Sequence, residues 1–275
     1  MRQLQQVRDR YARQIVASAG SSDPHLIHAF ALVERERFVG DPPWHVLGHA
    51  SFLTDKTNDP RLLYEDVLIS LAPERGINNG QPSLHALCMA AAGVAAGQCV
   101  VHVGAGTGYY TAVLAELVGP TGVVHAYEIE EDLAARAADN LRDWPQVQLH
   151  CASATERPLP SADIVYVSAG ATHPLDSWLD ALAPGGRLIF PMTTGSGTGA
   201  MLLITRKAGT AYAAEFLTRV SFVGCVGARD ARTSSALAVA FMSRPIEAVR
   251  SLRRNSEPDA SAWCAGAGWW LSTLD

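Results

Sequence analysis

Apolar residues recur with two different periods along the middle of the chain. The predicted strands are short apolar runs rich in β-branched residues, at positions 99–103, 122–127, 147–151, 164–168 and 188–190. The predicted helices carry apolar residues three or four positions apart, at positions 107–118, 130–143 and 174–181. Strands that alternate with helices are typical of a parallel sheet covered on both faces.

The first hundred residues are predicted to be mainly helix and loop. Residues 2–19 have helical periodicity, and Asp23 followed by Pro24 indicates the N-cap and first turn of a second helix. Residues 40–58 are rich in Pro, His and Asp, which predicts a loop. A third helix is expected to begin at Pro82, after a turn-rich stretch.

The pattern changes after residue 191. Two longer strand-like runs, 201–205 and 211–222, are separated by a short turn, which predicts an antiparallel hairpin at one edge of the sheet. The last segment carries three tryptophans that are expected to pack against the sheet edge, against a second subunit or around an acceptor pocket: Trp263, Trp269 and Trp270.

Composition narrows the class of protein. The 275 residues are 48% hydrophobic and 18% charged, with a formal net charge of −5. A net-acidic protein is poorly suited to grip a phosphate backbone, so no nucleic-acid partner is expected. The five cysteines are odd in number and far apart, which favours a reducing compartment. No secretory signal or membrane span is predicted, and the expected location is cytoplasmic.

A glycine-rich loop carries the candidate chemistry. It leaves the strand at 99–103 and begins the next helix, with the sequence Gly104-Ala105-Gly106-Thr107-Gly108-Tyr109. Glycine lets the backbone approach a ligand closely, and the first N–H groups of the helix favour a negative group. Glu128 ends the next strand, where a carboxylate can accept hydrogen bonds from both ribose hydroxyls of a nucleoside.

The glycine spacing distinguishes between nucleotide-binding classes. The chain has GxGxG rather than the GxGxxG of dinucleotide-binding proteins, and no GK[ST] follows it. GxGxG on a strand-to-helix turn, with an acidic residue closing the next strand, is the pattern of S-adenosylmethionine-dependent methyltransferases. The alternative is a glycine-rich turn that packs tightly and binds nothing.

Several further segments, over roughly residues 25–225, make the chain resemble the protein-L-isoaspartate O-methyltransferase family. They are residues 31–39, 63–66, 80–84, 161–169, 182–191 and 220–223, together with Tyr109 after the glycine loop. The resemblance implies an α/β fold: a Rossmann-like, doubly wound, mostly parallel seven-stranded sheet with an antiparallel hairpin at one edge. The expected organisation is a segment covering the active site (1–80), a cofactor-binding core (81–225) and a C-terminal extension packing on it (226–275).

The resemblance also implies methyl transfer from S-adenosyl-L-methionine to a carboxylate oxygen, with S-adenosyl-L-homocysteine as product. The implied cofactor-binding residues are Gly104, Ala105, Gly106, Thr107, Gly108, Tyr109, Glu128, Ile129, Ser153 and Ala154. The implied substrate-binding residues are Asn78, Gly80, Gln81, Ser168 and Val223. His102 and Asn79 are the candidate catalytic residues.

Three positions depart from the family pattern. Gly80 stands where the family has serine before Gln-Pro, His102 stands where an acidic residue precedes the glycine loop, and Ser153 replaces the aspartate of a Gly-Asp-Gly turn. His102 is either a general base for a hydroxyl acceptor or a packed residue on a buried strand.

Three functions therefore remain open. The first is an O-methyltransferase acting on a peptide or protein carboxylate. The second is a tailoring O-methyltransferase for a small molecule or modified peptide, and the third is a non-catalytic cofactor-binding scaffold. A homodimer is an option, and no metal is expected, because the spacing of His45 and His49 lacks the glutamate of a zinc motif.

Overall fold

A computed structural model describes residues 2–47, 54–209 and 211–275. The chain forms two compact units, Met1–Gln98 with Ala105–Cys151, and Cys99–Gly104 with Ala152–Asp275. His49 and part of the predicted 40–58 loop lie outside the described residues. Among the helices of the described part, none combines the length and apolar character needed to cross a bilayer.

Over residues 99–190, strands and helices follow one another as the alternating pattern predicts. The helices are α1 (Arg2–Ser18), α2 (Pro24–Leu32), α3 (Pro82–Ala92), α4 (Tyr109–Val118), α5 (Glu131–Asn140), α6 (Asp176–Asp180) and α7 (Ala231–Ser243). The strands are β1 (Trp44–Leu47), β2 (Thr54–Thr57), β3 (Leu68–Ala72), β4 (Ile77–Asn78), β5 (Cys99–Val103), β6 (Val123–Glu128), β7 (Val147–Cys151), β8 (Ala162–Val167), β9 (Leu182–Thr193), β10 (Thr198–Arg206), β11 (Tyr212–Ser221), β12 (Ser251–Arg254), β13 (Ala262–Gly266) and β14 (Trp269–Ser272).

The first unit holds five of these helices, α1 to α5, and two sets of strands. The Asp23 side chain accepts a hydrogen bond from the His25 N–H at 2.9 Å, which confirms the predicted N-cap of α2. Strands β6 and β7 are parallel, as the alternation predicts. A separate antiparallel sheet has the order β2-β1-β3-β4.

The predicted loop over residues 40–58 is wrong, because this stretch contains β1 and β2. Trp44 pairs with Thr57 and Leu47 with Thr54 in antiparallel register, and β1 also pairs with β3. The Pro, His and Asp content of the segment indicated irregular structure. The strands form nonetheless because each is short and gains its hydrogen bonds from a partner strand rather than from its own residues.

The second unit is built on a mixed sheet. Its strand order within the described residues is β13-β14-β12-β11-β10-β9-β8-β5. Strands β5, β8 and β9 are parallel neighbours, and β9, β10 and β11 are antiparallel. Strands β5, β8 and β9 therefore form the parallel part of this sheet, and β10 and β11 form the predicted hairpin.

The antiparallel edge is longer than the predicted hairpin. Strands β12, β14 and β13 continue the sheet beyond β11, so this unit alone has eight strands in the described residues, against the seven expected. The C-terminal segment joins the sheet through backbone hydrogen bonds, and its expected role as an extension packing on the core stays a prediction. The domain boundaries at 80/81 and 225/226 stay predictions.

An aromatic cluster holds the C-terminal segment in place. Trp263 on β13 lies 5.1 Å from Phe216 and 5.3 Å from Phe241, measured between ring centroids. Its Nε1 donates to the Pro245 carbonyl at 3.0 Å. Only 1% of Trp263 is exposed. The predicted packing of this tryptophan at the sheet edge is therefore confirmed.

Candidate functional site

The glycine loop depends on backbone conformations that side chains disfavour. Gly106 has a φ of 58° and Gly108 a φ of 97°, both in the left-handed region. A Cβ at Gly108 would also lie 2.9 Å from Leu141 Cδ1. Glycine is thus required here for backbone conformation and for packing against Leu141.

Hydrogen bonds fix the loop within the first unit. The Ala105 N–H donates to the Tyr127 carbonyl at 3.0 Å. Thr107 Oγ1 donates to the Phe38 carbonyl at 2.6 Å, and Asn140 Nδ2 donates to the Thr107 carbonyl at 2.9 Å. The Ala105 and Thr107 side chains are buried, so these residues can meet a ligand mainly through their main chain.

The Tyr109 side chain is occupied by the protein core. Its ring lies edge-on to Phe38 at 5.6 Å, and its hydroxyl is 3.3 Å from that of Tyr11. Burial raises the pKa of Tyr109 well above the usual range, so the hydroxyl stays protonated. Of the predicted cofactor contacts at this residue, only a main-chain contact fits the structure.

Glu128 lies directly against the loop. Its Oε2 accepts a hydrogen bond from the Gly106 N–H at 2.6 Å, and its Oε1 accepts one from the Glu130 N–H at 3.0 Å. Burial raises the pKa of Glu128, and these N–H donors act in the opposite direction. A carboxylate offers about four lone-pair sites, so acceptor capacity remains for ribose hydroxyls. The neighbouring Ile129 is 44% exposed and could cover an aromatic base.

The predicted substrate-binding residues Asn78, Gly80 and Gln81 form a turn that we call the acceptor turn, residues 78–81. Asn78 Oδ1 accepts a hydrogen bond from the Gly80 N–H at 2.9 Å. Gln81 Nε2 donates to Asp66 Oδ2 at 2.8 Å. Asp66 also accepts from the Ser83 N–H at 2.9 Å, which ties the turn to the start of α3.

Packing explains the glycine at position 80. Gly80 has a φ of 75°, and a Cβ there would overlap the Nε2 of His85 and lie 3.4 Å from Tyr110 Cε2. The His85 ring stacks on the Tyr110 ring with centroids 3.5 Å apart. The imidazole thus fills the space that a serine at position 80 would need.

The acceptor turn and the glycine loop lie side by side within the first unit. Tyr110, the residue after Tyr109 in the first turn of α4, donates its hydroxyl hydrogen to the Gly80 carbonyl at 3.0 Å. On the other side, a Cβ at Gly106 would lie 3.7 Å from Leu71 Cδ1 on β3. The structure therefore brings the predicted acceptor and cofactor residues of this unit together.

The second unit holds the remaining predicted residues, and two of them are hydrogen-bonded. His102 Nε2 lies 3.0 Å from Ser168 Oγ, and the Ser168 N–H donates to the Val103 carbonyl at 2.8 Å. A Cβ at Gly104 would be 3.7 Å from the Ser168 Cβ. His102, Gly104 and Ser168 thus form one group at the end of β5.

Burial weakens His102 as a base. Only 1% of the residue is exposed, and burial lowers the pKa of its imidazole to about 3. Its ring also packs edge-on against Tyr166 at 5.5 Å. A general base works best with a pKa near the working pH, so this environment favours a packed histidine.

Ser153, Ala154 and Val223 occupy loops of the second unit. Ser153 Oγ lies 2.8 Å from Thr155 Oγ1, and the Ala154 carbonyl accepts from Trp178 Nε1 at 3.2 Å. The Val223 carbonyl accepts a hydrogen bond from the N–H of Gly170 at 2.7 Å. Gly170 is two residues after Ser168. The Val223 side chain is about half exposed, which leaves it available to a ligand.

Comparison with known proteins assigns the chain to a family. The family model for protein-L-isoaspartate(D-aspartate) O-methyltransferase matches residues 13–230. The chain belongs to this family. The predicted resemblance is confirmed, and the match extends further at both ends than residues 25–225. The chain is therefore a member of a family of methyltransferases.

Individual relatives agree with this methyltransferase family. A protein-L-isoaspartate O-methyltransferase of Brucella anthropi is 29% identical, over 82% of this chain and 96% of its own length. Protein-L-isoaspartate O-methyltransferase 2 of Marinobacter nauticus is 31% identical, over 82% of this chain and 94% of its own length.

Solved structures identify the fold as that of a Rossmann-like methyltransferase. A structure named protein-L-isoaspartate O-methyltransferase has a TM-score of 0.68 at 22% identity, covering 97% of this chain and 85% of that one. A Plasmodium falciparum structure described as a protein-L-isoaspartate O-methyltransferase in complex with S-adenosyl-L-homocysteine has a TM-score of 0.62 at 17% identity. It covers 80% of this chain and 98% of that one.

Two residues of this methyltransferase site were missed by sequence reasoning. The sequence analysis gives no role to His85 or to Tyr110. The signal for His85 was available in part, since a glycine replacing the family's serine at position 80 suggests that another side chain takes its space. Nothing in the sequence indicates the hydrogen bond of Tyr110.

Proposed function

We propose that this chain is an S-adenosylmethionine-dependent O-methyltransferase that esterifies an isoaspartyl carboxylate of a peptide or protein. The observation that carries the proposal is the hydrogen bond between the Glu128 carboxylate and the Gly106 N–H at 2.6 Å. This contact supports the proposal because it joins a carboxylate suited to bind ribose hydroxyls to a glycine loop that opens a helix, in a chain of a methyltransferase family.

The candidate residues fit S-adenosylmethionine as the methyl donor. Within the first unit, the loop backbone from Ala105 to Tyr109 would approach the amino-acid part, Glu128 the ribose and Ile129 the adenine. The cofactor contacts of Gly104, Ser153 and Ala154 stay predictions. When bound, S-adenosylmethionine supplies a sulfonium-activated methyl group that a carboxylate oxygen can accept with no proton lost or gained, leaving S-adenosylhomocysteine.

The acceptor chemistry makes few demands on the chain. An isoaspartyl residue presents its free α-carboxyl group, whose ordinary pKa of about 3.5 makes it an anionic nucleophile at neutral pH. The chain therefore contributes position and exclusion of water rather than a strong base. This requirement agrees with His102, whose pKa of about 3 suits it poorly to accept a proton.

Transfer of labelled methyl groups tests the activity. The full chain is incubated with methyl-labelled S-adenosylmethionine and a synthetic isoaspartyl peptide, with the normal aspartyl peptide as control. We expect label in the isoaspartyl peptide only, and its release in mild base, because the product is a methyl ester. Base-stable label, or none, would contradict this function.

A change at Glu128 tests the cofactor assignment. We expect Glu128→Gln to weaken S-adenosylhomocysteine binding by about 10- to 100-fold, because a charged hydrogen-bond acceptor is lost. Isothermal titration calorimetry measures the affinity, and Glu131→Gln on the exposed start of α5 is the matched control. Equal affinity of the Glu128 variant and the control would refute the role of Glu128.

A different acceptor is the second candidate function, favoured by the changed acceptor turn. Gly80 leaves the turn without the family's serine hydroxyl, and His85 takes its place. Cofactor binding without transfer to the isoaspartyl peptide would favour a tailoring enzyme for a small molecule or modified peptide. Absence of cofactor binding would favour a non-catalytic scaffold that binds a partner instead of the cofactor. The cytoplasmic location, the homodimer and the lack of a nucleic-acid partner remain predictions.

A further inference from the structure

Asn79 holds a buried hydrogen-bond donor that the fold leaves unused. Its Oδ1 accepts a hydrogen bond from the Ile69 N–H at 2.8 Å, and its own N–H donates to the Ile69 carbonyl at 3.0 Å. The residue is 8% exposed, and its side-chain Nδ2 is buried with no hydrogen-bond partner.

The orientation of this amide is fixed by chemistry. A backbone N–H can donate only to an acceptor, so the atom that faces Ile69 must be the oxygen, and the other atom must be the NH₂ group. Buried donors nearly always have a partner, and a donor without one indicates an absent ligand or water. Nδ2 can bind only an acceptor atom.

Asn79 lies beside the glycine loop, through which the methyl donor is proposed to bind. It belongs to the acceptor turn, whose Gly80 carbonyl is held by the Tyr110 hydroxyl at 3.0 Å. Tyr110 follows the glycine loop directly, and β3, which carries Ile69, reaches that loop through Leu71. Gly80 has no side chain, and its N–H is already bonded to Asn78. Asn79 is therefore the residue of this turn whose side-chain donor is buried without a hydrogen-bond partner.

We propose that Asn79 Nδ2 binds one carboxylate oxygen of the methyl acceptor and so positions the other oxygen for methylation. This proposal rests on the proposed function, because it takes the acceptor to be a carboxylate. A neutral amide fits this role because it orients the anion without the strong charge neutralisation of Arg or Lys, which would lower the nucleophilicity of the oxygen. Asn79 thus acts as a substrate-binding residue that sets the preference for carboxylates.

The experiment uses two variants of the full chain. Asn79→Asp keeps an oxygen for the Ile69 N–H, and therefore keeps the fold, but replaces the donor with an oxygen. Asn79→Ala removes both groups. Steady-state rates with the isoaspartyl peptide give KM and kcat, and calorimetry gives the affinity for S-adenosylhomocysteine. Asn58→Asp, at a less buried position of the same unit, is the matched control for the charge change.

We expect the kcat/KM of Asn79→Asp to fall by about 10- to 100-fold, mainly because KM rises. The affinity for S-adenosylhomocysteine should stay unchanged. The ratio of variant to wild-type kcat/KM should rise as the pH falls, because the introduced carboxyl group can donate again once it is protonated. A merely structural role of Asn79 would not produce this pH profile. The control should match the wild type.

The outcomes separate this proposal from the proposed function. If the wild type does not methylate the isoaspartyl peptide, the proposed function fails first. If the wild type is active and both folded Asn79 variants keep its KM, Nδ2 binds only water and the inference is overturned. A flat ratio between variant and wild type across pH would overturn it as well.

Discussion

His102 illustrates how burial decides the chemistry of a single residue. The imidazole lies on β5 with 1% of the residue exposed, and its pKa falls to about 3 because the charged form would be desolvated. The unfolded chain has no such burial, and its histidine pKa is about 6.5. Between these two values the unfolded state binds a proton that the folded state does not.

The first prediction concerns stability against pH. His102 contributes to the free energy of unfolding because it is buried in its neutral form. This contribution is fully present above about pH 6.5 and is lost as the pH falls toward 3, by about 1.4 kcal/mol per pH unit at most. We expect His102→Gln to lose less stability than the wild type between about pH 7 and about pH 5, with a difference of up to about 2 kcal/mol. Urea unfolding at the two pH values measures it.

Glutamine at position 102 can still bond to Ser168 but cannot be protonated in this range. His25→Gln, at an exposed position of α2, is the control and should behave as the wild type. Identical pH dependence in wild type and His102→Gln would show that the histidine is protonated equally in both states.

Backbone features that depend on neighbours in sequence could be predicted, whereas the roles of the residues stay predictions. The glycines at 106 and 108 and the acid at 128 follow from one strand–loop–helix pattern, and the Glu128–Gly106 contact agrees with it. The unused donor of Asn79 could not be predicted, because it depends on Ile69 ten residues away consuming the amide oxygen. Gly80 shows the same limit. The His85 ring occupies the space that a side chain at position 80 would need, and only the folded structure shows this.

Among the elements, the turn between β3 and β4 links two parts of the candidate cofactor site. Arg75 in this turn forms ion pairs with Asp132 at 2.6 Å and with Glu130, at the start of α5. Hydrogen bonds to Asp132 raise the pKa of the Arg75 guanidinium above its usual value, so this group stays charged. Leu71 lies near the end of β3, just before this turn, and its side chain is beside Gly106. The turn therefore reaches from the glycine loop to the residues just after Glu128.

The second prediction is that Arg75→Ala speeds cofactor exchange. The ion pairs are exposed and weak, so we expect the dissociation rate of S-adenosylhomocysteine to rise about two- to fivefold at low salt. The wild-type rate should approach that of the variant as salt is raised, because salt screens exposed charges. Stopped-flow displacement measures the rate.

Arg142→Ala provides the control for this experiment. Arg142 pairs with Asp139 at the far end of α5, in an exposed ion pair. Its loss should leave cofactor dissociation unchanged. A rate for Arg75→Ala equal to that of the control would mean that the turn does not limit cofactor exchange.

Elements were predicted to the extent that their signals are local. The alternation over 99–190 gave the parallel strands and their helices, because each run repeats within a few residues. Strands β1, β2 and β12 to β14 are four or five residues long and take their hydrogen bonds from partners, which no local period reveals.

At the scale of the whole chain, the C-terminal strands are part of a sheet and not an added cover. Trp263 connects them to β11 through Phe216 and to α7 through Phe241. The chain passes from one compact unit to the other at residues 98/99, 104/105 and 151/152. Each unit therefore combines segments that are not consecutive in sequence, and a division of the sequence into consecutive domains cannot describe them.

The last prediction is that Trp263→Ala strongly destabilises the protein. Removing a fully buried indole leaves a cavity and an unpaired Pro245 carbonyl, at a cost of about 3–5 kcal/mol of unfolding free energy. Denaturant unfolding followed by circular dichroism measures this cost. Val239→Ala, at an exposed position of α7, should cost little. Similar midpoints for both variants would show that the tail contributes little to stability.

The hydrogen bond from Tyr110 to the Gly80 carbonyl has a thermodynamic consequence. Any ligand that stiffens the helix start through the glycine loop also stiffens the turn on which Asn79 sits, and the reverse holds as well. Linkage requires the two effects to be equal: the factor by which one substrate tightens the other is the same in both directions. Through the Tyr110 phenol, we expect the binding of one substrate to change the affinity for the other.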